Sequence, residues 1–436
     1  MFLEFKVKNF KSIKEELTLS MAPAPKQKGL DYSIQNEYVG KKEYSSLSSA
    51  VIYGPNASGK SNIISAMDVF KSIVLRGNIK NSETAPTPNI AAHRLELIPY
   101  RMNEKKQTTS FQIKFIENKL LFDYEIEIDL GAFLQRDYER RIISERLAIN
   151  DHKIMERTQD KLFIDSCKTI KTINKYFGDS INTDINDALN IAIDSMDREE
   201  LFLSNGFKTI FSKQLATIIL SWFENKMIVL YHSDKVSIAP YILDAKEDKI
   251  YTQKTLTDAA KIFGIGQNGL GYKILSGTPT LYSTFKNGKA IPADLYESFG
   301  TLRFVREFPI IIEAIIKGAT LFMDEFDASI HPMALMNIVN IFHNDDVNKR
   351  KAQIIFNTHN PIFLNAGLFR RDEIHFVERT DRGSIHYTLA DFKTTGEKGV
   401  RNGADYMKNY FVNQYGAIRD IDFTPVITDL FKEENR

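Results

Sequence analysis

Two glycines, a lysine and a serine interrupt an apolar stretch near the start of this 436-residue chain, and this interruption constrains the fold more than any other feature. The stretch is VIYGPNASGKSNII, 51–64, in which Gly54 and Gly59 frame the pattern G-x-x-x-x-G-K-S. The apolar run before Gly54 predicts a short buried strand, and the apolar spacing from Ser61 onward predicts a helix. A glycine-rich loop between a strand and a helix turns backbone N–H groups toward phosphate oxygens at the positive end of the helix. The segment therefore predicts an α/β fold with a phosphate site at the tip of a strand.

The side chains of this loop indicate a nucleotide. Lys60 would reach the β- and γ-phosphates, and the Ser61 hydroxyl would bind Mg²⁺. The four fixed positions can also coincide by chance, but the flanking strand and helix weaken that alternative. The residues predicted to contact the nucleotide here are Gly54, Pro55, Asn56, Ala57, Ser58, Gly59, Lys60, Ser61 and Asn62.

Charge and cysteine content limit the class of protein. The 57 Lys and Arg residues nearly balance the 56 Asp and Glu residues, so a strong polyanion-binding surface is not indicated for the chain as a whole, while a local basic patch stays compatible with it. The single cysteine, Cys167, excludes an internal disulfide and fits a reducing cytoplasm.

No apolar run approaches the ~20 residues of a membrane helix, and the N-terminus lacks the apolar core of a secretion signal. We expect a soluble cytoplasmic protein.

Alternating apolar and charged residues predict an antiparallel sheet beside the main sheet. The N-terminal MFLEFKVKNF alternates in this way, which predicts that the chain starts as a half-exposed strand. TSFQIKFIEN and LLFDYEIEIDLG alternate on either side of 117–119, which predicts a hairpin.

The chain changes character between about Phe133 and Ala290. Charged segments with helical spacing, such as SNGFKTIFSKQLATIILSWFENKM, predict an inserted, mainly helical lobe. No long heptad register crosses it, which argues against an extended coiled-coil arm. The glycine-rich FGIGQNGLGYKILSGTPT, 263–280, favours a mobile loop over a second phosphate loop, because no Gly-Lys-Ser follows it. NIKNSETAPTPNIAAH, 78–93, is also predicted to be a loop.

An acidic pair in GATLFMDEFDASIHP would complete the site. The run from Thr320 to Met323 predicts a central parallel strand, and Asp324 and Glu325 follow its end, where open α/β sheets bind ligands. Asp324 would complete the magnesium shell through water, and Glu325 would polarise an attacking water. A solvated acidic turn is the alternative for such a pair alone, and the phosphate loop upstream favours the catalytic interpretation.

A histidine in KAQIIFNTHNP follows the same logic. Gln353 to Phe356 predicts another short strand, and His359 would lie at its tip, where it could bond the γ-phosphate and sense its loss. A lone histidine is more often structural, so its position carries the functional interpretation.

A second helix start precedes the acidic strand. The predicted helix from Leu302 to Ile316 begins at SFGT, 298–301, a small polar N-terminus able to bind phosphate. Because the first loop already covers one face of a nucleotide, a second anion-binding helix end indicates that another subunit supplies it across a dimer interface.

Together these motifs resemble an ABC-type ATPase head, similar to the SMC/Rad-type and OLD-type ATPases. They resemble more closely the AAA_15/AAA_21 group of bacterial AAA family ATPases, which includes abortive-infection and RloA-like phage-defence proteins. FKVKNFKSIKEELTLSM, GPNASGKSN, SFGTLRFV, LFMDEFDASIHP, NTHNP and YGAIRDI occur in the order of that family. The resemblance covers roughly 1–131 and 292–421 and says little about the middle.

The resemblance implies a role for each motif. Gly54 to Ser61 would be Walker A, and Asp324 with the catalytic Glu325 would be Walker B. Ser298 and Gly300 would form the signature that closes on the ATP of the partner subunit, with Asp327 in the D-loop and His359 as the switch histidine. The implied catalytic residues are Glu325 and His359, and the implied metal ligands are Ser61 and Asp324. The family commonly has a small or polar residue where Phe299 stands, and the Q-loop is suspected near 93–101.

The resemblance also implies organisation and partners. The expected division is 1–132 as the N-terminal part of the ATPase domain, 133–290 as the inserted lobe and 291–436 as the C-terminal part. ATP and Mg²⁺ would be the cofactors of a homodimer or higher homo-oligomer. The 77 residues after His359 are too few for a nuclease domain as well as the end of this fold, so an RloB-like or Toprim nuclease would be a separate effector protein.

Three functions follow as hypotheses. The leading one is an ATP-hydrolysing switch that controls a companion effector in defence against phage. The first alternative is an SMC/RecF-like DNA-repair ATPase that clamps nucleic acid, and near-neutral charge and the absence of a coiled coil weigh against it. The second is a regulatory scaffold that binds ATP and hardly hydrolyses it.

Overall fold

The computed structural model describes residues 1–25, 27, 29–80, 95–101, 107–133, 138–178, 185–194, 196–231, 250–252, 258, 261, 269–275, 278–327, 330–394, 399–401, 403–418, 424–425 and 428. The strands are β1 (Phe2–Lys8), β2 (Leu17–Ser20), β3 (Ile34–Val39), β4 (Lys42–Leu47), β5 (Ser49–Tyr53), β6 (Thr109–Glu117), β7 (Leu120–Asp129), β8 (Arg141–Ile149), β9 (His152–Thr158), β10 (Leu162–Ile164), β11 (Met227–Leu230), β12 (Ile250–Thr252), β13 (Gly269–Leu275), β14 (Thr278–Thr284), β15 (Ala290–Pro292), β16 (Thr320–Met323), β17 (Gln353–Asn357), β18 (Ile374–Thr380) and β19 (Gly383–Thr388). The helices are α1 (Lys60–Arg76), α2 (Lys171–Asn174), α3 (Ile185–Asp194), a π-helix (Leu203–Phe211), α4 (Lys213–Asn225), α5 (Phe299–Lys317), α6 (Pro332–Phe342) and α7 (Tyr406–Phe411).

A mixed six-stranded sheet carries the phosphate loop. Its order is β11-β16-β17-β5-β18-β19, and its first five strands are parallel while β19 pairs antiparallel with β18. Every residue of the central strand β5 is buried, as expected for a parallel strand covered on both faces. In register, Met323 lies beside Phe356 and Phe356 beside Val51, so the carboxyl ends of β16, β17 and β5 meet at one edge.

A seven-stranded antiparallel sheet, β10-β9-β8-β7-β6-β1-β2, shares a core with the mixed sheet and α1. The predicted N-terminal strand and the β6–β7 hairpin are both present, and Asn118 and Lys119 adopt the left-handed backbone that a two-residue hairpin turn requires. The ring of Phe2 packs edge-on against Phe322 of the mixed sheet, with 5.3 Å between ring centroids. The predicted α/β class, a mixed core sheet with an antiparallel sheet beside it, is confirmed.

The expectation of a mainly helical segment at 133–290 needs correction in the part of the chain that the structure describes. Strands β8, β9 and β10 extend the antiparallel sheet, β11 forms the edge of the mixed sheet, and β12–β15 make a four-stranded antiparallel sheet. Helical spacing correctly indicates the π-helix and α4, but short apolar runs such as MIVL in β11 fit a strand and a helix equally well. The domain boundaries at 132/133 and 290/291 stay a prediction.

Two loop predictions have different outcomes. Within the glycine-rich 263–280, the described residues 269–275 and 278–280 belong to the paired strands β13 and β14, so the loop prediction is wrong for them, and 263–268 and 276–277 lie outside the described residues. Most of the predicted loop at 78–93 also lies outside them, from residue 81 onward. On a separate point, every helix in the described part of the chain is too short or too polar to cross a bilayer.

Candidate nucleotide site

The loop between β5 and α1 has a backbone that only glycine allows at two positions. Gly59 has a φ of 108°, and a Cβ there would lie 2.3 Å from the Ser384 hydroxyl oxygen. A Cβ on Gly54 would lie 2.2 Å from the carbonyl oxygen of Val377. Ala57 is also left-handed, with a φ of 63°. Alternating right- and left-handed residues at a helix N-terminus point successive N–H groups inward and form an anion-binding concavity.

Lys60 closes this loop from within. Its ammonium group donates hydrogen bonds to the carbonyl oxygens of Gly54 at 2.6 Å and Pro55 at 3.1 Å, and only 6% of the residue is exposed. Burial lowers the pKa of Lys60 to about 8, and three nearby carboxylates oppose that shift. These carboxylates belong to Asp324, Glu325 and Asp327. The acidic strand end therefore lies within electrostatic reach of the loop lysine.

A small network of polar side chains holds the loop between β5 and α1 in place. The Asn62 side-chain amide donates to the Ser12 hydroxyl at 2.6 Å. The Ser384 hydroxyl donates to the Ser58 carbonyl at 2.6 Å and lies 2.8 Å from the Ser12 hydroxyl oxygen. The turn after β1 and the start of β19 thus fix the loop, while Ser61 stays half-buried at the first turn of α1.

The acidic pair lies at the end of β16, as the sequence predicts. Asp324 is buried and accepts a hydrogen bond from the Asn357 side-chain amide, whereas Glu325 is exposed and left-handed, with a φ of 51°. The Glu325 N–H donates to the side-chain oxygen of Asn357 at 2.6 Å. Its carbonyl oxygen accepts from the Arg303 guanidinium at 2.7 Å.

His359 lies beyond the end of β17. The preceding Thr358 N–H donates to the Ile52 carbonyl oxygen at 3.2 Å, which ties this segment to the strand that enters the loop. His359 is exposed at the surface, and its pKa is lowered, first by partial desolvation of the ring and then by the charge of Lys60. The carboxylates of Asp327, Glu325 and Asp324 oppose this shift. Residues from 54–62, 324–327 and 359 thus meet at one edge of the mixed sheet.

The signature residues lie at the start of α5, the helix whose Arg303 reaches the Glu325 carbonyl at this edge. The Ser298 hydroxyl caps α5 by accepting from the Thr301 N–H at 3.2 Å. Within the described structure, the hydrogen bonds of Ser298 and Gly300 stay inside that helix start. Ser298 is exposed, and Phe299 beside it is 64% exposed. That these residues act on another subunit stays a prediction, because the structure contains one chain.

Four residues at the site have no role in the sequence prediction. Asn357 and Arg303 lie within the motifs NTHNP and SFGTLRFV, and a polar residue at a strand end is a usable signal for Asn357. Ser12 and Ser384 carry no such signal, because only the folding of the two sheets brings them under the loop.

The donor set fits a nucleotide with Mg²⁺. The buried Lys60 ammonium and the N-terminus of α1, which begins at Lys60, suit phosphate oxygens. The Ser61 hydroxyl and the Asp324 carboxylate are hard oxygen ligands, which Mg²⁺ prefers. Among the described residues, no group of three or more His, Cys, Asp or Glu side chains could hold a metal ion.

Loop, lysine and acidic strand end together define a P-loop NTPase. A family model described as "AAA domain, putative AbiEii toxin, Type IV TA system" (AAA_21) matches residues 49–177 and 187–365. The chain belongs to this family of P-loop ATPases, as its motifs predict. A search of curated proteins finds no match.

Solved structures of SMC head domains are similar to this chain. The SMC head domain from Thermotoga maritima is 14% identical, with a TM-score of 0.36 and coverage of 89% of this chain and 98% of that chain. The Smc head domain with an extended coiled coil from Pyrococcus furiosus, bound to the C-terminal domain of ScpA, is 12% identical, with a TM-score of 0.38 and coverage of 89% and 96%. The Smc head domain with a coiled coil and joint from Pyrococcus yayanosii is 13% identical, with a TM-score of 0.40 and coverage of 89% and 96%.

Proposed function

We propose that this protein is a cytoplasmic, ATP-hydrolysing switch that dimerises head to tail around two ATP molecules. The observation that supports it best is the meeting of Lys60, Asp324, Glu325 and His359 at the edge of one sheet. A cation buried among carbonyl oxygens and faced by carboxylates suits a triphosphate whose charge must be neutralised during transfer.

The residues divide the chemistry among them. Lys60 and the loop N–H groups bind the β- and γ-phosphates and hold the triphosphate in line. Ser61 and Asp324 would hold Mg²⁺, which when bound supplies charge neutralisation at the β- and γ-oxygens. Glu325 accepts a proton from the attacking water, and its exposure beyond the end of β16 makes it accessible to water. His359 donates a hydrogen bond to the γ-phosphate and loses it on hydrolysis.

A second subunit supplies the signature residues that contact the phosphates bound in the first. Ser298 and Gly300 lie at an exposed helix N-terminus with a favourable dipole, which suits the phosphates of a neighbour. Phe299 between them departs from the family pattern and is 64% exposed, so a partner subunit would have to accommodate its bulky ring. ATP then joins two subunits, and hydrolysis loosens them.

The output of the switch is control of a companion effector in bacterial defence against phage. The family description, which names an AbiEii toxin of a type IV toxin–antitoxin system, supports this part of the proposal. The effector would be a separate nuclease of the Toprim or RloB-like class, and the segment 133–290 would relay the ATP state to it. Copurification from the native operon with and without ATP tests this, and a partner retained in only one nucleotide state is expected.

Glu325→Gln tests the catalytic proposal. The amide keeps the size of the side chain but cannot accept a proton, so turnover should fall at least ~100-fold while ATP-bound dimers accumulate. Steady-state phosphate release and a mass measurement with ATP check both outcomes. Asp346→Asn, an exposed carboxylate after α6, is the matched control. Unchanged turnover in Glu325→Gln would reject Glu325 as the catalyst.

A further inference from the structure

Side chains from two other elements hold the backbone of Glu325 from both sides. Its N–H donates to the Asn357 side-chain oxygen at 2.6 Å, and its carbonyl oxygen accepts from Arg303 at 2.7 Å. Asn357 ends β17 and Arg303 lies in the second turn of α5. The residue between these bonds is left-handed, with a φ of 51°, although it is not a glycine. Such a conformation persists only where the surroundings over-determine it.

Asn357 is suited to this task by its amide. It is 1% exposed, and its side chain accepts from Glu325 while donating to the Asp324 carboxylate. The backbone N–H of Glu325 can only donate, which fixes the oxygen of the amide on that side and its NH₂ on the side of Asp324. One side chain therefore sets the relative placement of both acidic residues.

Arg303 is itself held by a buried partner. Its Nε donates to the Glu307 carboxylate at 2.8 Å, and Glu307 is 1% exposed. The planar guanidinium can satisfy Glu307 and the Glu325 carbonyl at the same time, which an ammonium group does with less precision. Because Ser298 caps the same helix, a shift of that helix start would reach the Glu325 backbone through Arg303.

We propose that Asn357 and Arg303 are positioning residues that fix the backbone of Glu325 and thereby aim its carboxylate. This inference rests on the proposed function and deepens it, because it ties the catalytic carboxylate to both the histidine strand and the signature helix. The bonds just described join these side chains to the acidic strand end and to Glu307. Loss of the Arg303 bonds should therefore lower kcat and leave KM for ATP nearly unchanged, whereas loss of Asn357 also releases the Asp324 carboxylate and should raise KM as well. A displacement of about 1 Å at a reacting group can lower a rate about 100-fold.

The experiment compares these two residues with matched controls elsewhere in the fold. Arg350 also donates to a backbone carbonyl, that of Ile316 at 2.7 Å. Asn348 is also buried and bonds the backbone on both sides, accepting from the Ala352 N–H at 2.7 Å. The variants are Asn357→Ala, Arg303→Gln and Arg303→Lys, with Asn348→Ala and Arg350→Gln as the controls. Each is measured for kcat, KM and thermal unfolding.

We expect Asn357→Ala and Arg303→Gln to lower kcat about 10- to 100-fold. KM should change less than about threefold in Arg303→Gln and should rise further in Asn357→Ala, which also loses the bond to Asp324. Arg303→Lys should recover a large part of kcat, since an ammonium group still donates to the Glu325 carbonyl. The control variants should keep kcat within about twofold even where unfolding temperatures fall. If Asn357→Ala does not fold, Arg303→Gln still tests the proposal, because it removes the other side-chain bond to the Glu325 backbone and leaves Asp324 in place.

The results distinguish a failure of the positioning role from a failure of the proposed ATPase function. Turnover in the wild type with unchanged kcat in the Asn357 and Arg303 variants would overturn the positioning role alone. So would an equal fall of kcat in Asn348→Ala, because it would indicate a general loss of structure. A wild-type protein that binds ATP without turnover would overturn the proposed function, and with it this inference.

Discussion

At the scale of single residues, the glycines of the loop lie too close to neighbouring atoms to accept a side chain. Gly59→Ala would place a Cβ 2.3 Å from the Ser384 oxygen and 2.5 Å from the Ser12 oxygen, on a backbone with a φ of 108°. We expect it to lower the free energy of unfolding by roughly 3 kcal/mol, from strain and from displacement of the two serines. Urea unfolding without nucleotide measures this.

Gly40→Ala is the control for the backbone effect. Gly40 also has a positive φ, 62°, but a Cβ added there would have no atom within 4 Å. Its substitution should lower the free energy of unfolding by only about 1 kcal/mol, the strain of a left-handed alanine. Equal losses in both variants would contradict the close contact at Gly59.

A histidine pair, in which His375 is buried and His386 half-buried, gives the protein a pH dependence. His375 Nδ1 lies 2.8 Å from His386 Nε2, in β18 and β19. Burial lowers the pKa of His386 to about 4 and that of His375 well below its ordinary value, so both rings are neutral in the folded protein. Unfolded histidine takes up a proton near pH ~6.5. Stability is therefore full above that pH and is lost as the pH falls toward the folded pKa of about 4.

The variant His386→Gln tests this, because an amide does not titrate. Between about pH 7 and about pH 5 we expect the wild type to lose about 2 kcal/mol more unfolding free energy than the variant. Urea titrations at the two pH values give the difference. Asp391, whose charge opposes the shift of His386, stays in place in both proteins. Parallel losses would show that the pair does not titrate as described.

The sequence predicts residues whose position follows from one local motif. Asp324 and His359 lie just beyond the ends of strands, and Lys60 begins the helix that follows the glycine-rich loop. Each has a clear local signal, and the structure brings them to one edge. The partners that hold these residues are harder to predict. Ser384 is 326 positions away from the Ser58 carbonyl that it contacts, and no pattern in either segment indicates that contact.

At the scale of elements, the sequence predicts a strand where its residues alternate with a period of two or where a turn follows. It does not predict a strand whose pattern fits a helix equally well. The strand predicted from Thr320 to Met323 has those bounds in the structure, and the hairpin around 117–119 is present. The strands of 141–164 fall inside a segment whose spacing predicts helices. They form because β7 offers an edge with which β8 can pair, which is a property of the sheet and not of their own sequence.

A buried carboxylate joins the antiparallel sheet to the π-helix. Glu145 in β8 accepts from the N–H groups of Phe202 at 2.7 Å and Leu203 at 2.8 Å, and from the Tyr124 hydroxyl at 2.9 Å. Glu145→Gln replaces one acceptor oxygen with a donor, so an N–H or the hydroxyl loses its partner. We expect a loss of roughly 3 kcal/mol, against about 1 kcal/mol for Tyr124→Phe, which removes a single donor.

Denaturant unfolding of the two variants checks that order. The larger effect in Glu145→Gln follows because the carboxylate has three donors around it and lies fully buried beside Arg157, at 3.8 Å. A smaller loss in Glu145→Gln than in Tyr124→Phe would contradict a role for Glu145 in holding the start of the π-helix.

At the scale of the whole molecule, the proposed dimer makes each ATP site depend on two chains. Lys60→Met would disable the loop of a subunit, and Ser298→Arg would block its signature helix with a bulky cation. In any dimer that either variant forms alone, both sites would carry one defective half. The fold should survive each change, because Lys60 is a buried charge whose removal relieves desolvation and Ser298 is exposed.

Mixing the two variants should restore turnover. In a mixed dimer, the loop of the Ser298→Arg subunit meets the intact signature of the Lys60→Met subunit, so one of two sites is complete. With random pairing we expect roughly a quarter of wild-type turnover, from two proteins that are inactive alone. Steady-state phosphate release from an equimolar mixture measures this. Absence of recovery, while the Ser298→Arg protein still binds ATP, would show that the signature does not act across subunits, because only a shared site can be rebuilt from two different defects.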